Sequence, residues 1–289
     1  MKIFNFITHT HNKYTKKVAI LIPYYNNSKT ISTPLKSFLK LKYPHKLLKI
    51  IICDDCSNIE GECEKLNEIV QGYKKHFDIT IYQNKTNVGS ALNRAALFNH
   101  LLKEKDIEYF AYVDADDKLK PKFFNCCFDV QIKNDYKYDV VCAFKIRSKF
   151  GHKKIANFLK LDTWSLWGKL YKTSWYASTF YSTKIANYTE DLTFWYININ
   201  IKRQTCLIHK KLYIYVKNCS SMSHERNNFD KNGLDLCRNC EIILKDKNYY
   251  FCKLVLAEFA YFKSFYLNYF QSKGGEIYED FKKALNTAI

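Results

Sequence analysis

Apolar and polar positions follow a repeating rhythm along the first half of the chain. Val18–Pro23 (VAILIP) is a short apolar run closed by proline, and Leu47–Cys53 (LLKIIIC) is a second. Runs this short, rich in β-branched residues and without a polar alternate face, predict strands covered on both sides, as parallel strands are. Ile79–Gln83, Glu108–Val113 and Asp139–Arg147 predict three more strands. Between them, Ile31–Leu41 carries apolar residues near helical spacing, with Pro34 in its first turn, and Glu60–Tyr73 fits a helix that stops around Gly72. Asn87-Val88-Gly89 reads as a turn, Ser90 as the cap of a helix through about Leu102, and Pro121 as the opening of another helix. Strand and helix in this order predict an α/β fold, a doubly wound and mostly parallel sheet flanked by helices.

Past Arg147 the rhythm breaks. Phe150–Asn200 is rich in Trp and Tyr and shows no clean period until Glu190–Ile199, and from Gly233 onward the pattern is helical. Three parts follow from this: an α/β half at 1–147, a second half of the same domain at 148–232, and a C-terminal helical segment at 233–289. In that segment Leu254, Phe259, Phe262, Tyr266 and Phe270 belong to a broad aromatic face. It reads either as a helix packed on the sheet or as a face for a membrane surface or partner.

The polar clusters fall where a sheet of this kind binds ligands, at the carboxyl ends of its strands. YYNN follows the first strand, DDCSN the second and DADD the fourth. In DADD, Asp114, Asp116 and Asp117 put three carboxylates within four positions, although 46 Lys+Arg against 28 Asp+Glu give the chain a net charge of +18. Such a cluster suits a solvated turn, or a hard cation such as Mg²⁺ or Mn²⁺ that takes carboxylate and phosphate oxygens. The basic balance points to an anionic partner: a phosphate-bearing substrate, an anionic membrane surface or nucleic acid.

No run has the length of a membrane span, and the first residues show no secretory pattern, so a cytoplasmic setting with reduced thiols is expected for the eleven cysteines. Cys53/Cys56 and Cys237/Cys240 have CxxC spacing; buried thiols are the favoured reading and a zinc site the alternative.

Taken together, VAILIPYYNN, IIICDDCSN, NKTNVGSALNRA, YVDADDKLKP, WGKLYKTSW and NYTEDLTFW resemble, in order and spacing, the family-2 glycosyltransferases of the GT-A fold. The resemblance covers about Val18 to Phe194, with a looser match at KNCSSMSHERNNF. It implies an inverting enzyme that moves a sugar from a nucleotide-diphosphate donor, a UDP-sugar most of all, to a saccharide or glycolipid hydroxyl. It makes 1–147 the donor half and 148–232 the acceptor half; the nucleic-acid reading is set aside because no nucleic-acid module is recognisable and the acid clusters at the strand ends would repel a phosphate backbone. The +18 charge, the lack of a membrane span and the Phe259–Phe270 aromatic face suggest in addition a peripheral location on the cytoplasmic face of an anionic membrane.

Position by position, the resemblance implies that Tyr25 stacks on the base while Pro23 and Asn26 shape that turn. Asp55 would read the base edge, uracil suiting it best, and Arg94 would lie near the nucleotide phosphates. Asp114 would contact the ribose or the metal shell, Asp116 would ligate Mg²⁺ or Mn²⁺ directly, and Asp117 would be a turn or capping acid. Glu190 and Asp191 resemble the family's acceptor-side acid pair, with Asp191 the general base that takes the acceptor hydroxyl's proton. His224 stands between two readings, a group approaching the metal or diphosphate and a surface histidine. Trp164, Trp167 and Trp175 suit a sugar face or simple packing. The family often has glycine where Cys56 stands, so a different turn is expected there. The closest rival, a nucleotidyltransferase that makes sugar nucleotides, usually carries a glycine-rich loop after the first strand; here that position is PYYNNSKT.

Overall fold

The computed structural model describes residues 13–143, 154–155, 158–159, 164–179, 184–216 and 229–288. His224 and most of KNCSSMSHERNNF lie outside the described residues, as does the predicted Asp139–Arg147 strand from residue 144 onward.

The strands are β1 Val18–Tyr24, β2 Leu48–Asp54, β3 Asp78–Gln83, β4 Tyr109–Tyr112, β5 Lys118–Leu119, β6 Val140–Cys142, β7 Lys169–Lys172, β8 Thr205–Leu207 and β9 Tyr213–Ile214. Seven of them form one sheet in the order β3-β2-β1-β4-β7-β6-β8, and β5 and β9 form a separate antiparallel ribbon. The block β3-β2-β1-β4 is parallel throughout, whereas β7 runs antiparallel to both β4 and β6. Strands from both halves of the chain therefore share one sheet.

Burial on β1 follows the two-residue period of a strand. Ala19 and Leu21 enter one core with Ile51, Leu97 and the C-terminal residues Leu236, Ile243 and Phe251. Val18, Ile20 and Ile22 enter the other, with Leu35, Phe38, Leu66 and Phe124. Both faces are thus covered, which is why the strand sequences lack a polar alternate.

Helices α1 (Ser32–Phe38), α2 (Glu62–Gln71), α3 (Gly89–Leu101) and α4 (Phe123–Lys133) connect the strands. Ser90 is not the cap of α3: the helix already includes Gly89, Val88 precedes it, and no side chain caps it. Ser90 Oγ instead faces Asn187 and Glu190 across the site. The turn at Cys56 has φ +57°, the left-handed region that glycine enters without cost, so the chain makes a glycine-like turn there with a side chain in place.

Helix α5 (Glu190–Ile197) follows the tyrosine-rich stretch, and four helices end the chain: α6 Phe229–Lys245, α7 Tyr249–Glu258, α8 Lys263–Lys273 and α9 Gly275–Asn286. The aromatic run is broken at Phe259 by a 3₁₀ turn over Ala260–Phe262. Phe262, Tyr266 and Phe270 are buried, Phe270 stacks on Phe281 at 4.4 Å, and Tyr261 at 59% exposed is the ring of this run that faces outward. Cys237, Cys240 and Cys252 lie in this core, where burial holds the Cys237 thiol, and a hydrogen bond with Cys252 together with burial holds the Cys240 thiol, well above the usual range. Among the described residues no helix is long and apolar enough to cross a membrane.

Candidate active site

The parallel register delivers three loops to one edge of the sheet. Tyr24 pairs with Asp54 across β1 and β2, and Leu21 pairs with Tyr112 across β1 and β4, so YYNN, DDCSN and DADD leave the sheet side by side. An isolated bridge from Tyr112 to Trp167 brings the start of β7 to the same edge.

The first two loops are latched to each other. Asn26, with φ +52°, donates to Asn58 Oδ1 from its amide and accepts from the Asn58 and Ile59 backbone N–H groups. Beneath it the Tyr24 hydroxyl donates to Glu62 Oε1 at 2.6 Å, and Ser28 donates to both Glu62 oxygens. This buried acid, absent from the sequence-derived set, holds the loop that presents Tyr25, whose ring is 38% exposed. Pro23 is the last but one residue of β1, opposite Cys53.

Asp55 is buried and accepts the Val88 N–H and the Asn84 amide on Oδ1 and the Gly89 N–H on Oδ2, at 2.7–2.9 Å. It ties the second loop to the NVG turn. Gly89 has φ +84°, and a Cβ there would lie 2.3 Å from the Asn187 amide, so this turn and the segment before α5 touch at a glycine.

Arg94 projects from α3 into the middle of the edge. Its Nη2 donates to Asp114 Oδ1 at 2.8 Å and its Nη1 to Glu190 Oε1 at 2.7 Å. DADD and TED thus share one guanidinium. Asp116 is partly exposed, whereas Asp117 is fully buried: its N–H closes a turn onto Asp114 O, and its carboxylate accepts from Tyr213 Oη and Val216 N. Burial, with Asp114 adding its charge, pushes Asp117 up to about 8. Tyr213 Oη also accepts the Asp114 N–H, so the β5–β9 ribbon fixes the acidic turn. Trp167 stacks on Tyr213 at 4.7 Å; Trp175 is buried and stacks on Trp195, and Trp164 packs against the same core.

Asp191 Oδ2 accepts the Leu166 N–H at 3.0 Å, and its Oδ1 is buried with no hydrogen-bond partner among the described residues. Burial raises both acids of the pair. Glu190 goes up to about 8, with Asp191 adding to the rise and Arg94 opposing it; Asp191 rises against the opposing pull of Arg94, the Leu166 N–H and Lys169. The turn carrying them is held from α6, where Asn239 bonds the backbone at Ala186 and Tyr188, and Asp235 accepts the Tyr188 N–H. These partners lie about fifty positions downstream, out of reach of any local pattern.

Among the described residues no three His, Cys, Asp or Glu side chains converge to enclose a metal. Asp114 and Asp116 alone still suit Mg²⁺ or Mn²⁺, which bind through one or two carboxylates and complete the shell with water and substrate phosphates.

The model of the family described as Glycosyl transferase family 2 matches residues 19–215. The chain belongs to this family. Over 103 residues it is 29% identical to poly(ribitol-phosphate) beta-N-acetylglucosaminyltransferase TarS of Staphylococcus aureus, covering 36% of this chain and 17% of TarS. Over 107 residues it is 30% identical to poly-beta-1,6-N-acetyl-D-glucosamine synthase of Staphylococcus epidermidis, covering 37% of this chain and 23% of that one. The matches thus span less than a quarter of these relatives. Among solved structures, TarS 1-349 in complex with UDP-GlcNAc aligns with a TM-score of 0.60 at 19% identity, over 79% of this chain and 66% of the other. The mannosyltransferase PcManGT from Pyrobaculum calidifontis, in complex with GDP-Man and Mn2+, aligns at 0.59 with 14% identity, over 87% and 76%. Both establish the GT-A fold for this glycosyltransferase-family chain.

Proposed function

We propose that this chain is an inverting glycosyltransferase that moves a sugar from a UDP-sugar to a hydroxyl of a surface-glycan or glycolipid acceptor. The observation that carries the reading is the Arg94 clamp, which joins an acid of the proposed donor side, Asp114, to an acid of the proposed acceptor side, Glu190. The choice of UDP draws on the likeness to TarS, and the glycan class of the acceptor on both curated relatives.

Tyr25 stacks on the base, with Pro23 and Asn26 setting its loop. Asp55 Oδ2 accepts one N–H among the described residues, and its second lone pair takes the uracil N–H. Arg94 acts by placing Asp114 and Glu190 rather than by reaching out to the phosphates. Asp114 and Asp116 would hold Mg²⁺ or Mn²⁺, which would supply positive charge against the departing diphosphate. The acceptor hydroxyl attacks the anomeric carbon on the face opposite that diphosphate, and Asp191 takes the hydroxyl proton as the bond forms. Burial raises the affinity of Asp191 for that proton, which strengthens it as a base. Residues 1–147 serve the donor, 148–232 the acceptor, and 233–289 hold the acid-bearing turn.

The +18 charge favours work at an anionic membrane on its cytoplasmic face, at on the order of 1 kcal/mol per basic residue near the surface. With the aromatic run largely packed inside, this docking rests on lysine and arginine, and co-sedimentation with vesicles indifferent to anionic lipid and salt would remove it.

The central test is Asp191→Asn. UDP affinity is expected to stay within about twofold of wild type while sugar transfer falls by about 10² to 10⁴-fold, and the wild-type product should have the inverted anomeric configuration. A retained configuration, or full turnover in the variant, overturns the mechanism.

A further inference from the structure

Lys169, the first residue of β7, is fully buried. A buried ammonium is heavily penalised unless its surroundings compensate it. Here it donates to the Ser165 carbonyl and lies 5.7 Å from the centre of the Trp195 ring. Trp195 is four residues beyond Asp191 on α5, so the two side chains share a helix face. The N–H of that same peptide, on Leu166, donates to Asp191 Oδ2, and the Leu166 carbonyl, in the next peptide, accepts the Tyr171 hydroxyl at 2.7 Å. Two side chains of β7 therefore grip the short stretch that holds one oxygen of Asp191.

Among the described residues, the charged and titratable groups that interact with Asp191 include Arg94 from α3, Asp114 and Tyr112 at the end of β4, Lys169 and Tyr171 from β7, and Glu190 beside it. Arg94 divides its guanidinium between Asp114 and Glu190. Lys169 adds a weaker attraction that, like Arg94 and the Leu166 N–H, favours the ionised form of Asp191.

We infer that Lys169 is a positioning residue, fixing the Ser165–Leu166 peptide that aims Asp191 and keeping positive charge close to that carboxylate so that it meets the acceptor hydroxyl ionised. This rests on the reading of Asp191 as the base. Two properties follow from one side chain: the geometry of the base and the pH at which it becomes competent.

The test compares full-length wild type, Lys169→Met, Lys169→Arg and Asp191→Asn. Nucleotide release is followed from pH 5 to 9 with whichever of UDP-GlcNAc, UDP-glucose, UDP-galactose and GDP-mannose the wild type turns over fastest, and UDP binding is measured by calorimetry. The base must be ionised, so its rate rises with pH, and removing a nearby cation moves that rise to higher pH. Lys169→Met is expected to move the acidic limb up by about one unit and to lower kcat by about 10 to 100-fold, with UDP affinity within about twofold. Lys169→Arg is expected to restore most of the limb. An unshifted limb in Lys169→Met beside an inactive Asp191→Asn overturns this inference alone. Full turnover in Asp191→Asn overturns the assignment of the base, and this inference with it. Loss of UDP binding in both Lys169 variants shows a role in folding and also overturns it.

Discussion

Arg94 Nη1 lies 2.7 Å from Glu190 Oε1, joining residues 96 positions apart whose side chains are only 7% and 11% exposed. The same guanidinium holds Asp114, so one cation answers for acids delivered by two separate loops. Removing a single partner from such a buried cluster leaves charge without compensation and costs about 3–5 kcal/mol. Arg94→Gln is therefore expected to lower the melting temperature by roughly 10 °C and to weaken UDP binding through Asp114. Arg94→Lys keeps the charge but not the two-armed geometry, and should recover only part of the loss. A wild-type melting curve for Arg94→Gln would show that the clamp carries no weight.

Asp114 gives one oxygen to Arg94, and Asp116, partly exposed two positions on, is the acid proposed to ligate the metal directly. In calorimetry with Mn²⁺ present, Asp116→Ala is expected to weaken UDP binding at least about tenfold, and chelation of the metal should do the same to wild type. The two losses should not add, because both remove the same contact. UDP binding that survives both treatments unchanged would return DADD to a solvated turn.

Gly89 sits where Asp55, the NVG turn and Asn187 converge. Gly89→Ala puts a methyl group 2.3 Å from the Asn187 amide and forces a side chain to φ +84°. A cost of about 1–3 kcal/mol in denaturant unfolding is expected. Adding Asn187→Ala relieves the collision but not the backbone strain, so the double variant should be more stable than the sum of the two singles predicts. Strict additivity would mean that the two residues do not compete for the same space.

The strands were legible because a strand covered on both faces has to be apolar throughout, and VAILIP and LLKIIIC are. Helix limits were less so: Ile31–Leu41 contracts to Ser32–Phe38, and Ser90 lies within a helix that it was expected to cap. At the site, sequence order brought out DADD and TED but not what joins them. Arg94 carries no local mark of being a clamp, because both its partners come from distant segments. The same holds for Glu62 under Tyr24 and for Asn239 behind the acid-bearing turn, and Lys169, which bonds Ser165 four residues away, meets the Trp195 ring only in the folded chain. The break of the aromatic run at Phe259 has no glycine or proline to announce it.

Asp117 offers a pH signature that separates it from its neighbours. It is fully buried, bonded by Tyr213 and Val216, and pushed up to about 8 by burial. An unfolded aspartate loses its proton near pH 4, so between about pH 4 and 8 the folded chain binds a proton that the unfolded chain does not. The contribution to stability is therefore fully present below about pH 4 and is lost as the pH rises through 8. Asp117→Asn imitates the protonated acid at every pH. Melting temperatures taken from pH 5 to 8.5 in metal-free buffer should fall less for this variant than for wild type, so that the variant gains on wild type by a few degrees toward the alkaline end. Tyr213→Phe, which removes a hydrogen bond that stabilises the ionised acid, should steepen the fall instead. Parallel curves for wild type and Asp117→Asn would mean that this carboxyl is ionised throughout the range, and that Tyr213 and Val216, rather than a proton, compensate for its burial.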